Sequence, residues 1–242
     1  MNGDNKPDSI VIRPTNNKQS DTDYLNHFTV SMNGKTVLRA SLKDLYCYTL
    51  TVKYAKMSKS REFLQVIGYG DSDYVVYNKI FAYNKKTKKF RVVNTLTNSY
   101  ATSIVSANKK GIVIKHITQP LETGLISWTF PYKYSKGKFV ATTKSTKTVK
   151  SMIANYNKDK YSKYFAKNKF VAAKKITFYN GKKVAFTVKK GNIVTLTKLM
   201  ISKNRIQLQF KYGKKTGYIG VNKQGYNFDK PLFMGVNARL GA

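Results

Sequence analysis

Two Asn-Gly pairs, each set between short runs of β-branched and aromatic residues, constrain this chain more than any other feature. Phe28-Thr29-Val30-Ser31-Met32 leads into Asn33-Gly34 and then Lys35-Thr36-Val37-Leu38. Lys175-Ile176-Thr177-Phe178-Tyr179 leads into Asn180-Gly181 and then Val184–Val188. Asn and Gly both accept the positive φ values of a type I′ turn, whose twist matches that of paired antiparallel strands. A chain built from hairpins follows.

The same grammar extends over most of the sequence. Strand-like runs fall at Leu45–Tyr54, Glu62–Gly68, Tyr74–Tyr83, Phe90–Leu96, Ala101–Ser106, Gly111–Ile117, Leu125–Phe130 and Lys138–Thr143, separated by polar turns such as Asn84–Lys89 and Asn108–Gly111. Tyr83 through Val92 can be laid on Tyr134 through Val140: a strand, a Tyr, a Lys-rich turn, a Phe and another strand. The two tyrosines stand 51 positions apart. A period near that length suits a unit of four strands, as in a propeller blade; two unrelated Lys-rich hairpins would give the same pattern.

Residues 1–23 are rich in Asn, Asp, Ser, Thr and Lys, and only Ile10-Val11-Ile12 could be buried, so they read as a flexible leader. Residues 24–145 form a β-rich region, propeller-like or a sandwich. Residues 146–171 read as a linker in which Ser151 could cap a short helix carrying Ile153, Tyr156, Lys160 and Tyr164. Residues 172–242 hold five short strands, enough for a small barrel: Ile176–Tyr179, Val184–Val188, Ile193–Leu199, Ile206–Tyr212 and Thr216–Gly220. Residue Met1 is followed by Asn2-Gly3-Asp4-Asn5 rather than an apolar signal segment, so the chain reads as cytoplasmic or as the mature form of a secreted precursor. The polar leader favours the second option.

Charge speaks to partners, not to fold. The 242 residues carry 45 Lys+Arg against 11 Asp+Glu, a net charge of +34. Residues 1–73 are nearly balanced, with 10 basic and 8 acidic side chains. Residues 74–228 hold 33 basic residues against Glu122 and Asp159 alone. Like charges repel, so that stretch calls for counter-charge in its working environment. Only six of the bases are Arg, the residue that forks onto guanine edges, which points to diffuse attraction rather than sequence reading.

Reactive groups are scarce. Cys47, His27 and His116 are the only thiol and imidazoles, too scattered for a zinc site or a nucleophile–base pair. Cys47 reads as a small apolar strand residue. Asp71, Asp73 and Glu122 show no pairing suited to sugar hydrolysis, and no Gly-rich phosphate loop or nucleophile elbow occurs. The expectation is a protein that is not an enzyme and has no cofactor and no metal.

The C-terminal segment resembles the bacterial SH3-like (SH3b) domain over roughly 172–225. The likeness rests on Ile176–Tyr179, on the Lys-Lys-Gly-Asn-Ile-Val-Thr-Leu stretch Lys189–Leu196, and on Gly-Lys-Lys-Thr-Gly-Tyr-Ile-Gly at Gly213–Gly220. Tyr218 stands where that family commonly has Trp. Region 24–143 resembles the FG-GAP-like β-repeats of clostridial-type surface proteins, through Met32–Leu38, Arg61–Asn78 and Phe81–Val93. Of that family's calcium loop only Asp71-Ser72-Asp73 remains, two carboxylates where Ca²⁺ takes six to eight oxygens; an Asx-type turn is the expected role. These resemblances imply an SH3-like barrel in the C-terminal third and a binding or targeting role on a secreted or wall-associated protein of a Gram-positive cell, in contact with peptidoglycan.

The functional expectation is non-catalytic binding of anionic cell-wall polymer, teichoic acid or peptidoglycan. Lys182, Lys183, Lys189, Lys190, Lys214 and Lys215 would supply the electrostatic contacts, and Tyr179, Tyr212 and Tyr218 the sugar-facing rings. A nucleic-acid or other polyanion binder is the main alternative, since 18 Tyr and 13 Phe could stack bases. A structural spacer without a specific ligand is the third.

Overall fold

The computed structural model describes residues 1, 6–16, 24–71, 74–97, 101–155, 160–202, 205–221 and 231–236. Strands account for 66% of it and helix for 3%, so the chain is all-β, in several antiparallel sheets of which none closes into a barrel. It divides into two compact units. One comprises residues 1–115 and 131–142, the other 116–130 and 143–242. Residues 116–130, expected from the sequence to belong to the N-terminal region, group instead with the C-terminal unit.

The N-terminal unit starts with a three-stranded sheet of β1 (Ile10–Asn16), β2 (Leu25–Met32) and β3 (Lys35–Ser41), in that order. The expected flexible leader is therefore a strand over residues 10–16, paired with β2 from Ile10↔Met32 onward; residues 2–5 and 17–23 lie outside the described residues. The Asn33-Gly34 turn forms as read, with φ of 51° and 78° and Met32 facing Lys35. Next comes a four-stranded meander of β4 (Thr49–Ser58), β5 (Arg61–Tyr69), β6 (Val75–Asn84) and β7 (Lys89–Thr95). A second meander follows: β8 (Ala101–Asn108), β9 (Gly111–Thr118), β10 (Ile126–Ser135) and β11 (Lys138–Ala141). The 51-residue spacing read from Tyr83 and Tyr134 relates the β6–β7 hairpin of the first to the β10–β11 hairpin of the second.

The first meander is covered on both faces. Leu64, Val66, Tyr77 and Phe81 pack with Phe28, Val30 and Val37 of the first sheet. Phe63, Ile80, Ala82 and Val93 pack with Ile104, Ile112, Ile114 and Phe139 of the second meander. Six consecutive residues of β5, Phe63 through Gly68, are buried, as a continuous apolar run in place of alternation requires.

One polar residue interrupts that run, and its role is to finish another strand. Gln65 is fully buried. Its Oε1 accepts the Ile104 N–H at 2.7 Å, and its Nε2 donates to Asn78 Oδ1 at 2.9 Å and to the Thr102 carbonyl at 3.4 Å. Buried Asn78 donates to the same carbonyl at 3.3 Å. Strand β8 is the last of its sheet, so its outer backbone groups have no strand to pair with, and the side-chain amides stand in for one. Asn94 does the same at the other end of that sheet, donating to the Phe139 carbonyl of β11 at 3.1 Å and accepting the Phe139 N–H at 2.7 Å.

The C-terminal unit has β12 (Ser145–Thr146), β13 (Lys150–Ser151), β14 (Lys169–Val171), β15 (Ile176–Asn180), β16 (Lys183–Val188), β17 (Ile193–Ser202), β18 (Arg205–Tyr212) and β19 (Lys215–Val221). Strand β13 pairs with β10; the others form a seven-stranded sheet of order β12-β17-β18-β19-β15-β16, with β14 also on β17. The expected linker thus contains three short strands. Ser151 is a strand residue facing Ile126 rather than a cap; a 3-10 turn covers Ile153–Asn155, and the single α-helical turn α1 (Ser162–Phe165) starts after Tyr161 with no side-chain cap. Tyr156 lies outside the described residues. Buried Phe170, Phe178, Phe210 and Phe233 form the core, with ring centroids 5.1–5.6 Å apart. The five expected strands are present as β15–β19. The sheet they build is open but curled, since β16 comes over β19: a Cβ on Gly217 would lie 2.9 Å from the Cβ atoms of both Ala185 and Phe178.

Replacing Gln65 by Leu keeps the volume, strands the Ile104 N–H and removes the donor to Asn78 Oδ1. The expected loss is about 2–4 kcal/mol of unfolding free energy, read from the urea midpoint; a loss below about 0.5 kcal/mol would show that those groups find other partners.

Candidate functional site: lysine hairpin tips beside a tyrosine–glutamine strip

The Asn180-Gly181 pair folds one residue out of register with the sequence reading. Asn180 is the last residue of β15 and faces Lys183, which leaves Gly181-Lys182 as the turn. Only Gly181 has positive φ, 61°, the pattern of a type II′ turn rather than I′. Gly213-Lys214 repeats it, with Gly213 at 57° and Tyr212 facing Lys215. Each tip therefore shows a lysine at its second turn position and another at the first residue of the returning strand. All four lysines are exposed.

Register brings the two tips to the same end of the sheet. Strands β15 and β19 are antiparallel with Tyr179 facing Tyr218, so the end of one meets the start of the other. Asn180, displaced from the turn, ties them: its Nδ2 donates to the Thr216 carbonyl at 3.2 Å. Lys182, Lys183, Lys214 and Lys215 thus form one group.

Lys189 and Lys190 form another. Their turn is closed by the Lys189 N–H on Asn192 Oδ1 at 2.9 Å, and is fastened to Ala172 by the Gly191 N–H on its carbonyl at 2.8 Å. Because Val188 faces Ile176, this turn lies beside exposed Lys174 and Lys175, at the far end of the β15–β16 hairpin from Lys182. None of the six expected contact lysines has an acidic partner among the described residues.

The three tyrosines divide by face. Tyr179, 44% exposed, and Tyr218 are neighbours on the outer face. Next to them Gln209 Nε2 donates to the Tyr218 hydroxyl at 2.9 Å, and the Thr197 hydroxyl donates to Gln209 Oε1 at 3.1 Å. Tyr212, 37% exposed, extends the inner row and lies on Phe186 with centroids 6.1 Å apart and planes at 22°. The outer strip of Tyr179, Tyr218 and Gln209 offers ring faces and hydrogen-bonding groups together, as a hydroxyl-rich ligand requires. Gln209 escaped the sequence reading; the signal was there in the polar outward positions of Arg205, Gln207, Gln209 and Lys211 alternating with buried Ile206, Leu208 and Phe210.

The reactive residues are not assembled. Cys47 is buried, its thiol bonded to the Thr49 carbonyl at 3.4 Å, and burial pushes its pKa up, away from thiolate chemistry. His27 is exposed on β2. His116 on β9 lies parallel to Trp128, with centroids 5.5 Å apart, and packs on Phe130; burial lowers its pKa to about 4. Among the described residues no three His, Cys, Asp or Glu side chains gather into a metal-binding group. Asp73, half of the calcium-loop remnant, lies outside them. No helix among the described residues is long and apolar enough to cross a membrane.

No protein-family model, curated protein or solved structure matches this chain.

Two outcomes follow from this geometry. Gly217→Ala should destabilise the C-terminal sheet by about 1–3 kcal/mol in thermal unfolding, because its methyl group would overlap two Cβ atoms. The unfolded chain takes up the His116 proton near pH 6.5, the folded one only near 4. Stability from this group is therefore complete above pH 6.5 and falls by about 3 kcal/mol as pH drops toward 4. His116→Phe should flatten the unfolding free energy across that window.

Proposed function

We propose that this chain is a non-catalytic, cationic binding module that holds anionic cell-wall polymer, teichoic acid or peptidoglycan, as part of a secreted or wall-associated protein. The observation that carries the reading is the tip cluster: Lys182, Lys183, Lys214 and Lys215 exposed at one end of the sheet, tied through Asn180, and without acidic partners among the described residues. Lysine suits a flexible polyanion, since a mobile ammonium on a long stem meets phosphates of varying spacing without demanding a fixed fork geometry. The Tyr179–Tyr218–Gln209 strip supplies sugar-compatible surface on the same sheet. An SH3-like ancestry for this sheet belongs to the proposal, supported by the hairpin order, the curl at Gly217 and the turn motifs. So does a propeller-like reading of the N-terminal unit, supported by its consecutive four-stranded meanders.

Co-sedimentation with purified Gram-positive walls, before and after removal of teichoic acid, tests the assignment. Binding should drop on removal, and K182Q/K183Q/K214Q/K215Q should weaken it about tenfold, four exposed charges contributing a few tenths of a kcal/mol each. Equal binding to both wall preparations, or none at low salt, defeats it. Quenching of tyrosine fluorescence by single-stranded nucleic acid, with a matching loss of affinity as salt rises, would transfer the assignment to nucleic acid.

A further inference from the structure

The N-terminal unit carries a second aromatic surface that the lysine reading does not use. Leu25 and Cys47 face each other across an isolated bridge, with the Leu25 N–H on the Cys47 carbonyl at 2.7 Å, and both side chains are buried. Of their chain neighbours, Tyr46 and Tyr48 are exposed and Tyr24 is half-buried. Tyr46 is 64% exposed, and its ring lies 5.6 Å from that of Tyr24, tilted by 58°. The Tyr48 N–H donates to the Tyr69 carbonyl at 2.8 Å, which places this segment against the end of β5.

Tyr74, 61% exposed, is brought to the same place by Gly70. The Gly70 N–H donates to the Tyr74 carbonyl at 2.7 Å, and a Cβ on Gly70 would stand 3.2 Å from the Tyr46 carbonyl. Backbone conformation points the same way. Asp44 and Tyr46 have φ of 67° and 47°, left-handed values that are costly for a bulky residue and that persist where the surroundings impose them. That strained backbone holds the Tyr46 ring 64% exposed, with Tyr24 as its aromatic neighbour.

We infer that Tyr24, Tyr46, Tyr48 and Tyr74 form a binding site for an uncharged glycan. A flat ring accepts the apolar C–H face of a pyranose, and the phenol groups at its edge meet the hydroxyls. Exposed Asp44 and Asp71 stand two and three positions from Tyr46 and Tyr74 in the chain, as further acceptors. Among the described residues, the charged side chains within three positions of these tyrosines are Lys43, Asp44 and Asp71, a local set without the cationic excess that polyanions require, so a neutral ligand fits where an anionic one does not. The inference is independent of the lysine tips.

Titration calorimetry of the full chain with chitohexaose, cellohexaose and mannohexaose, at physiological ionic strength, tests it. At least one oligosaccharide should bind saturably and with little dependence on salt. Affinity should fall about tenfold or more in Y46N/Y74S, where Asn tolerates the left-handed backbone and the loss of stacking accounts for the drop. K182Q/K183Q/K214Q/K215Q should bind as the parent does, which separates failure of this site from failure of the wall-polymer assignment. Absence of binding by all three sugars, undiminished binding in Y46N/Y74S, or binding of a proline decamer in their place overturns the inference.

Discussion

Side-chain amides that behave as a missing strand hold this architecture together. A chain made of short antiparallel sheets has many edges, and each edge strand leaves N–H and C=O groups that water cannot reach once sheets stack. Gln65 completes β8, Asn94 completes β11, and Asn168 completes the turn into β13 by accepting the Ser151 N–H and donating to the Val149 carbonyl, both at 2.9 Å. Glutamine and asparagine suit the task because one planar group carries a donor and an acceptor, as a peptide unit does. The stacked apolar cores around Phe63 and Phe139 depend on these residues, since burying an edge with its backbone groups unpaired would cancel much of the gain from apolar contact.

That construction frees the surface to be chemically lopsided. The buried residues are mostly aromatic and aliphatic, with a few uncharged polar groups such as Gln65 and Asn78 among them, and lysines crowd the turns without entering the cores. Two type II′ tips place four of those lysines at one end of the C-terminal sheet, and the turn at Gly191 places others at the far end of the same hairpin. The N-terminal segment, near charge balance, instead turns tyrosines outward beside Leu25 and Cys47. Lysine and tyrosine thus share the surface of the C-terminal sheet, whereas the N-terminal segment exposes tyrosines in a stretch near charge balance.

Legibility in the sequence followed the range of the forces involved. Asn33-Gly34 formed the expected turn because local φ preference and strand register agree there. Asn180-Gly181 slipped by one residue: Asn180 ends the strand and its side chain bonds the Thr216 carbonyl of the neighbouring strand. Ile10-Val11-Ile12 became part of a strand despite its polar surroundings, since β2 offered an unpaired edge. The expected cap at Ser151 gave way to pairing with Ile126. Each departure came from a partner distant in sequence, invisible to a reading of neighbours.

By itself the sequence determined the strand count of the C-terminal third, the 51-residue echo between hairpins, the all-β class and the imbalance of charge, all of which depend on local pattern or on composition. Tertiary structure alone decided which lysines share an end of a sheet, that Tyr179 and Tyr218 share a face while Tyr212 joins the inner row, and that a glutamine belongs inside β5. The reason is physical: propensity acts over a few residues, whereas register and edge pairing bring together groups tens of residues apart, and only their meeting fixes where each side chain is used.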